Sequence, residues 1–377
     1  MLYPKLVITS TIAYMFHLER QHKDFTRRHL FFPANMSIER LNTQSVEPKG
    51  RPVGGTEYSW CQVVPGGTGI AVLALLSSKA PNISHLQTAI HKLQNSHPIL
   101  NTSSPNNNHT CTNTNDMFFA TTYALPSTKY IVVFRLHVSA CDHTTAVSLL
   151  RELLELMSEE VGGGLMGNNK GEVSLKIEDL IPNGKAKKPL WSRGVDMLSY
   201  SVSSLRLTNL KFKDTRSPRS SQVVRLQMNQ NETEKILAGC KSRGIKLCGA
   251  LVVAGLIAAY SSKRRLDNQR KKYGVVTLTD CRSILDPALS NRRFVFEDPV
   301  IDQSNDMQHE VGLEDYMGCA SVHGVGPSIA MFDTVRDGKL DCVCVYPAPL
   351  HSREQMQELI DNMKPVLVNG IVANPVG

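Results

Sequence analysis

The spacing of apolar residues predicts alternating strands and helices from about residue 51 onward. Continuous or alternating apolar runs predict strands over 70–76, 117–121, 129–136, 222–227, 275–279 and 341–346. Apolar residues at helical spacing predict helices over 84–97, 144–160, 231–240 and from residue 352 onward. Ser84 with Gln87, and Ser352 with Gln355, are spaced as capping boxes. The run 249–259 is apolar on every face and too short for a membrane span, which predicts a buried helix.

This alternation predicts an α/β protein with two lobes. The first lobe is expected over 51–161 and the second over 191–377. Residues 162–190 are rich in Gly, Asn, Lys and Pro, so they are interpreted as the linker between the lobes. Residues 1–50 are predicted to form a poorly ordered basic extension.

Charge and cysteine content indicate which partners and which cellular compartment to expect. The 377 residues carry 42 Lys and Arg against 34 Asp and Glu, a formal net charge of +8. Basic clusters at 263–265 and 270–272 could contact phosphates, but a solvated helix end is the simpler reading, and no nucleic-acid partner is predicted. Nine scattered cysteines without a C-x-x-C pair predict reduced thiols and no zinc site. We expect a cytoplasmic protein without a membrane span, with organelle targeting through the basic extension as the alternative.

One segment carries imidazoles and a carboxylate where a predicted strand gives way to a predicted helix. It reads Leu-His-Val-Ser-Ala-Cys-Asp-His over 136–143. Junctions of this kind often carry catalytic groups. The segment resembles the His-His-x-x-x-Asp-Gly signature of the coenzyme-A-dependent acyltransferase superfamily, which includes chloramphenicol acetyltransferase, HxxxD-type plant acyltransferases and condensation domains. The phrases His-Pro-Ile-Leu at 97–100 and Asp-Cys-Arg at 280–282 add to a resemblance to a divergent plant-type member.

The resemblance implies a fold and an activity. The fold would be two chloramphenicol-acetyltransferase-like lobes, each a mixed sheet with packed helices, with an active-site tunnel between them and a shortened second lobe. The activity would be transfer of an acyl group from a coenzyme A thioester to a small alcohol or amine. Acyl-CoA would then be a co-substrate, and no bound cofactor or metal is expected. His323 and Gly324 lie in a glycine-containing loop that could line the tunnel.

The resemblance also implies roles for residues at the junction. Aligned on Asp142, the catalytic second His of the signature falls on Val138 and its first His on His137. Asp142 would pair with Arg282, beside Asp280, as structural support for the active site.

The missing imidazole leaves the identity of the base open. Acyl transfer needs a base for the acceptor's proton, and a neutral imidazole suits this task, whereas Val138 cannot accept a proton. His137 is therefore the first candidate base, and His143, the residue after Asp142, is the second. Neighbouring residues of a strand point to opposite faces, so His137 is not expected to replace Val138 without a bulge.

Three hypotheses follow for the chain as a whole. It is an acyltransferase with a rearranged base, or a non-catalytic scaffold or binding protein with the same fold. The third hypothesis is a truncated product of an acyltransferase gene. Fold alone does not decide between them.

Overall fold

The computed structural model describes residues 54, 58, 69–76, 83–101, 117–125, 129–158, 177–182, 191, 195, 198, 209–261, 273–277, 285–286, 313–322 and 327–372. The strands are β1 (Ile70–Leu76), β2 (Phe118–Leu125), β3 (Lys129–Leu136), β4 (Ser220–Gln227), β5 (Leu313–Ala320), β6 (Ala330–Arg336) and β7 (Lys339–Ala348). The α-helices are α1 (Ile83–Ser96), α2 (His143–Ser158), α3 (Gln230–Ser242), α4 (Leu247–Ser261) and α5 (Arg353–Val372). Short 3-10 helices cover Pro98–Asn101 and Ile177–Leu180.

The chain divides into two compact units. The first contains a four-stranded antiparallel sheet in the order β2-β3-β1-β5. Helices α1 and α2 pack on each other, and α2 also packs against β1, β3 and β5. The helix α2 has its apolar stripe on this sheet, and Ala146, Leu150 and Leu153 are fully buried.

The second unit contains the three-stranded antiparallel sheet β4-β7-β6 with helices α3, α4 and α5. Helix α5 packs against α4, α3 and β4. Asn229 caps α3 through a capping box with Glu232. Cys342 and Cys344 of β7 are both fully buried, and Val343 and Val345 between and after them are buried too.

Most predicted elements are present with ends shifted by a few residues, and strand 129–136 is confirmed to the residue. The Ser352 hydroxyl accepts a hydrogen bond from the Gln355 backbone N–H, which confirms that cap. Ser84, by contrast, lies inside α1, which begins at Ile83, so its predicted role as the capping residue is wrong. The predicted strand at 275–279 is absent from its described part, residues 275–277.

Two further observations change the expected organisation. Strand β5 lies within the range predicted for the second lobe, yet it pairs with β1 of the first unit. Helix α4 is not buried on all sides, because Val253, Ile257 and Tyr260 are 54%, 45% and 62% exposed. Among the described residues no single helix has the length and apolar character of a membrane span; α3 and α4 meet that criterion only as a pair bent by 107°.

Candidate active site

The predicted junction is confirmed between β3, which ends at Leu136, and α2, which begins at His143. The His137 backbone N–H donates to the Met117 carbonyl at 2.9 Å, which continues the contact between β3 and the residue before β2. The Ala140 N–H then donates to the His137 carbonyl at 2.9 Å and closes a turn. His137 and Val138 therefore lie at the start of a turn, and the expected strand alternation between them does not apply.

Ser139 holds the imidazole of His137 from its own turn. The Ser139 backbone N–H donates to Nδ1 of His137 at 3.2 Å, and the Ser139 hydroxyl oxygen lies 2.6 Å from the same nitrogen. A backbone N–H can only donate, so Nδ1 is the unprotonated, accepting nitrogen, and the neutral ring carries its hydrogen on Nε2. Burial lowers the pKa of His137, which favours this neutral form. The junction thus contains a neutral imidazole whose basic nitrogen faces a serine hydroxyl.

Val138 and Cys141 bring no proton-transfer chemistry to the junction. Both side chains are partly buried and pack against the hydrophobic core of the first unit. Burial, together with the negative charge of Asp142, raises the pKa of the Cys141 thiol far above its usual range. Because the reactive form of a cysteine is the thiolate, Cys141 is not an activated nucleophile.

Asp142 serves as the N-terminal cap of α2. Its Oδ1 accepts hydrogen bonds from the Thr145 backbone N–H at 2.9 Å and from the Thr145 hydroxyl at 2.8 Å. The residue as a whole is exposed. Its predicted partner Arg282, like Asp280, His323 and Gly324, lies outside the described residues. The described contacts of Asp142 are those of a residue that caps a helix N-terminus.

His143, the second candidate base, is the first residue of α2 and is partly buried. Its Nε2 is shielded from solvent. His137 is the first candidate base, because its Nδ1 lies 2.6 Å from the Ser139 hydroxyl oxygen.

The contact between His97 and Glu152 was not predicted from the sequence. Nε2 of His97 lies 2.6 Å from Oε2 of Glu152. His97 directly follows α1, and its N–H donates to the Leu93 carbonyl at 3.0 Å. The contact joins the His-Pro-Ile-Leu phrase to the polar side of α2. The sequence signal that could have indicated this contact is the position of His97 at a helix end next to a proline. The contact supports a structural role for His97.

The described residues contain no group of three His, Cys, Asp or Glu side chains arranged to hold a metal ion.

Comparison with known proteins shows the fold. No protein-family model matches the sequence, and no curated protein matches it either. A trichothecene 15-O-acetyltransferase from Fusarium sporotrichioides superposes with a TM-score of 0.60 at 10% identity, over 84% of this chain and 94% of the other. The epimerization domain of the third module of tyrocidine synthetase B superposes with a TM-score of 0.54 at 10% identity, over 88% and 98%. Polyketide synthase associated protein 5 from Mycobacterium tuberculosis gives 0.52 at 13% identity, over 85% and 98%.

The chain has the chloramphenicol-acetyltransferase-like fold that it shares with these proteins. This confirms the predicted α/β fold class. At 10–13% identity the likeness shows the fold and leaves the activity open.

Proposed function

We propose that this protein is an acyltransferase that moves an acyl group from a coenzyme A thioester to a small alcohol or amine. The observation that supports it is the contact between Ser139 and the neutral imidazole of His137 at the strand-to-helix junction. General base catalysis requires an unprotonated imidazole within hydrogen-bond reach of the proton that it removes, directly or through one intervening group. In this proposal acyl-CoA is a co-substrate and the protein holds no resident cofactor.

The proposed proton path runs through the Ser139 hydroxyl. As the acceptor oxygen or nitrogen attacks the thioester carbonyl carbon, its proton passes to Oγ of Ser139. The hydroxyl proton of Ser139 passes at the same time to Nδ1 of His137. The carbon–sulfur bond then breaks, and the coenzyme A thiolate leaves and takes up a proton from the imidazolium. The sum is a new ester or amide, a free thiol and an unchanged protein.

A non-catalytic scaffold or binding protein is the second candidate, and Val138 favours it. The side chain at the position aligned with the catalytic imidazole packs against the core instead of accepting a proton. Loss of a general base alone lowers a rate by about 10²–10⁴-fold. A chain without any substitute base would retain at most the contribution of substrate positioning.

Thiol release from a panel of acyl-CoAs, with and without alcohol and amine acceptors, separates the two candidates. We expect acceptor-dependent release by the native chain and a fall of about 10²-fold or more in His137→Ala. His91→Ala is the matched control, because His91 is an exposed histidine of α1. Native release at the uncatalysed rate, with release appearing in Val138→His, would instead establish the scaffold and reject the proposed activity.

A further inference from the structure

Helix α4 presents an apolar face to solvent as well as to the core. Its inward face includes the buried Ala250, Leu251, Ala254 and Ala258. Beside that face, Val253, Ile257 and Tyr260 are 54%, 45% and 62% exposed. These three positions follow the spacing of a single helical stripe. The outward stripe of α4, defined by these three residues, contains no charged side chain.

The charged residues of the chain segment that leads into α4 are of one sign. The described stretch from Lys235 to Ser261 contains four basic residues and no acidic one: Lys235, Lys241, Arg243 and Lys246. All four are exposed, and the last three precede the N-terminal end of α4. The sequence after Ser261 continues this bias, with six Lys or Arg and one Asp over 262–272. An anionic surface that accepts apolar side chains would match both the outward stripe and the cations of this segment.

We propose that α4 attaches the second unit to the surface of an anionic phospholipid membrane. Stable peripheral attachment commonly needs two signals, an apolar one that enters the headgroup region and a basic one that meets anionic lipid. The outward stripe supplies the first signal, and the exposed cations before α4 supply the second. Tyr260 suits the boundary itself, because its ring is apolar and its hydroxyl is polar.

The size of the stripe favours a lipid surface over a protein partner. Three side chains about half exposed present roughly 300 Å² of largely apolar surface, well below the ~800 Å² per partner of a stable protein interface. Three of the four cations in the stretch 235–261 are lysines, and lysine is depleted at the centres of protein interfaces. A lipid surface needs no matching shape, so a small apolar patch flanked by cations is sufficient.

The test is co-sedimentation of the full chain with vesicles of phosphatidylcholine alone and of phosphatidylcholine mixed with phosphatidylserine. We expect binding to the mixed vesicles only, and its loss in about 1 M salt, where the screening length falls to about 3 Å. Val253→Gln with Ile257→Gln should lower the partition coefficient at least tenfold. Lys241→Gln with Lys246→Gln should lower it roughly 25-fold, on the basis of about fivefold per cation. Gln is a good helix former, so these variants should keep α4 intact.

Matched controls test whether the loss of binding is specific to the outward stripe and the cations before α4. Each control removes an exposed apolar or basic residue elsewhere in the second unit. Ile181→Gln removes another exposed isoleucine of the second unit, and Lys211→Gln removes another exposed lysine. Both should bind mixed vesicles nearly as well as the native chain. Equal binding to the two vesicle types, or native binding by Val253→Gln with Ile257→Gln, would overturn the proposal. So would a native dimer that this double variant converts to monomer, because a second copy would then cover the stripe.

Discussion

Replacing Asp142 distinguishes a helix cap from a buried ion pair at the candidate site. Asp142→Asn keeps an oxygen that can accept both hydrogen bonds from Thr145 but removes the negative charge at the start of α2. We expect it to lower the free energy of unfolding by about 0.3–1 kcal/mol, the value of a charge near a helix N-terminus. Asp142→Ala also removes the cap, which costs about 0.5–2 kcal/mol. The alanine variant should therefore be the less stable by about 1 kcal/mol.

The assay is urea unfolding of the full chain, with hydrogen exchange of the α2 backbone amides as a local readout. The first turn of α2 should exchange faster in Asp142→Ala than in Asp142→Asn. Asp214→Ala is the control, because Asp214 accepts from the Arg216 and Ser217 N–H groups in a turn of the other unit. A loss of about 3–5 kcal/mol in both Asp142 variants would refute the cap as the main contribution of Asp142 and support the predicted pair with Arg282.

Three further predictions concern charge and protonation. In urea unfolding, Asp341→Leu should lower the free energy of unfolding by about 3–5 kcal/mol, because it removes the carboxylate that pairs with Arg225, whose side chain is only 5% exposed. Adding Arg225→Met should recover most of that loss, and no recovery would contradict this reasoning. Burial lowers the pKa of His351, so the unfolded chain takes up its proton first and stability should fall as the pH drops below about 6.5. His351→Gln should flatten that fall, and an unchanged slope would reject the assignment to His351. The lowered pKa of His137 predicts that kcat/KM declines only at a pH below the ordinary imidazole value of 6.5, and a decline centred above it would oppose His137 as the base.

Amphipathic and apolar periodicity predicted most of the fold, but two strands were missed. Strand β6 is joined to β7 by the two-residue turn Asp337-Gly338, with φ of 49° and 67°. An Asp-Gly pair is a strong signal for such a hairpin, so this strand could have been found. Strand β5 has two acidic residues, Glu314 and Asp315, directly after its first residue, and Asp315 is only 2% exposed. Such a strand carries little hydrophobic signal, and its pairing with a distant part of the chain depends on tertiary structure.

The helix α4 shows a different limit of sequence reasoning. An apolar residue looks the same in sequence whether it faces a core or solvent. The composition of α4 therefore predicted burial on every side, while the structure leaves Val253 and Ile257 about half exposed. Where such a face lies depends on what packs beside the helix.

The sequence located the candidate site but not its hydrogen bonds. The motif correctly placed His137 and Asp142 between a strand and a helix. The contact of Ser139 with Nδ1 depends on the turn geometry of 137–140, which has no distinctive sequence signature. The cap formed by Asp142 and Thr145 had such a signal, because Asp is a preferred residue just before a helix.

A double-mutant cycle on His137 and Ser139 tests the proposed acyl transfer most directly. The readout is acceptor-dependent thiol release by the native chain, His137→Ala, Ser139→Ala and the double variant. If the two residues form one proton path, each single variant should lose about 10²-fold or more, and the double variant should lose no more than either. Ser139→Ala at the native rate, or losses that multiply in the double variant, would contradict the path.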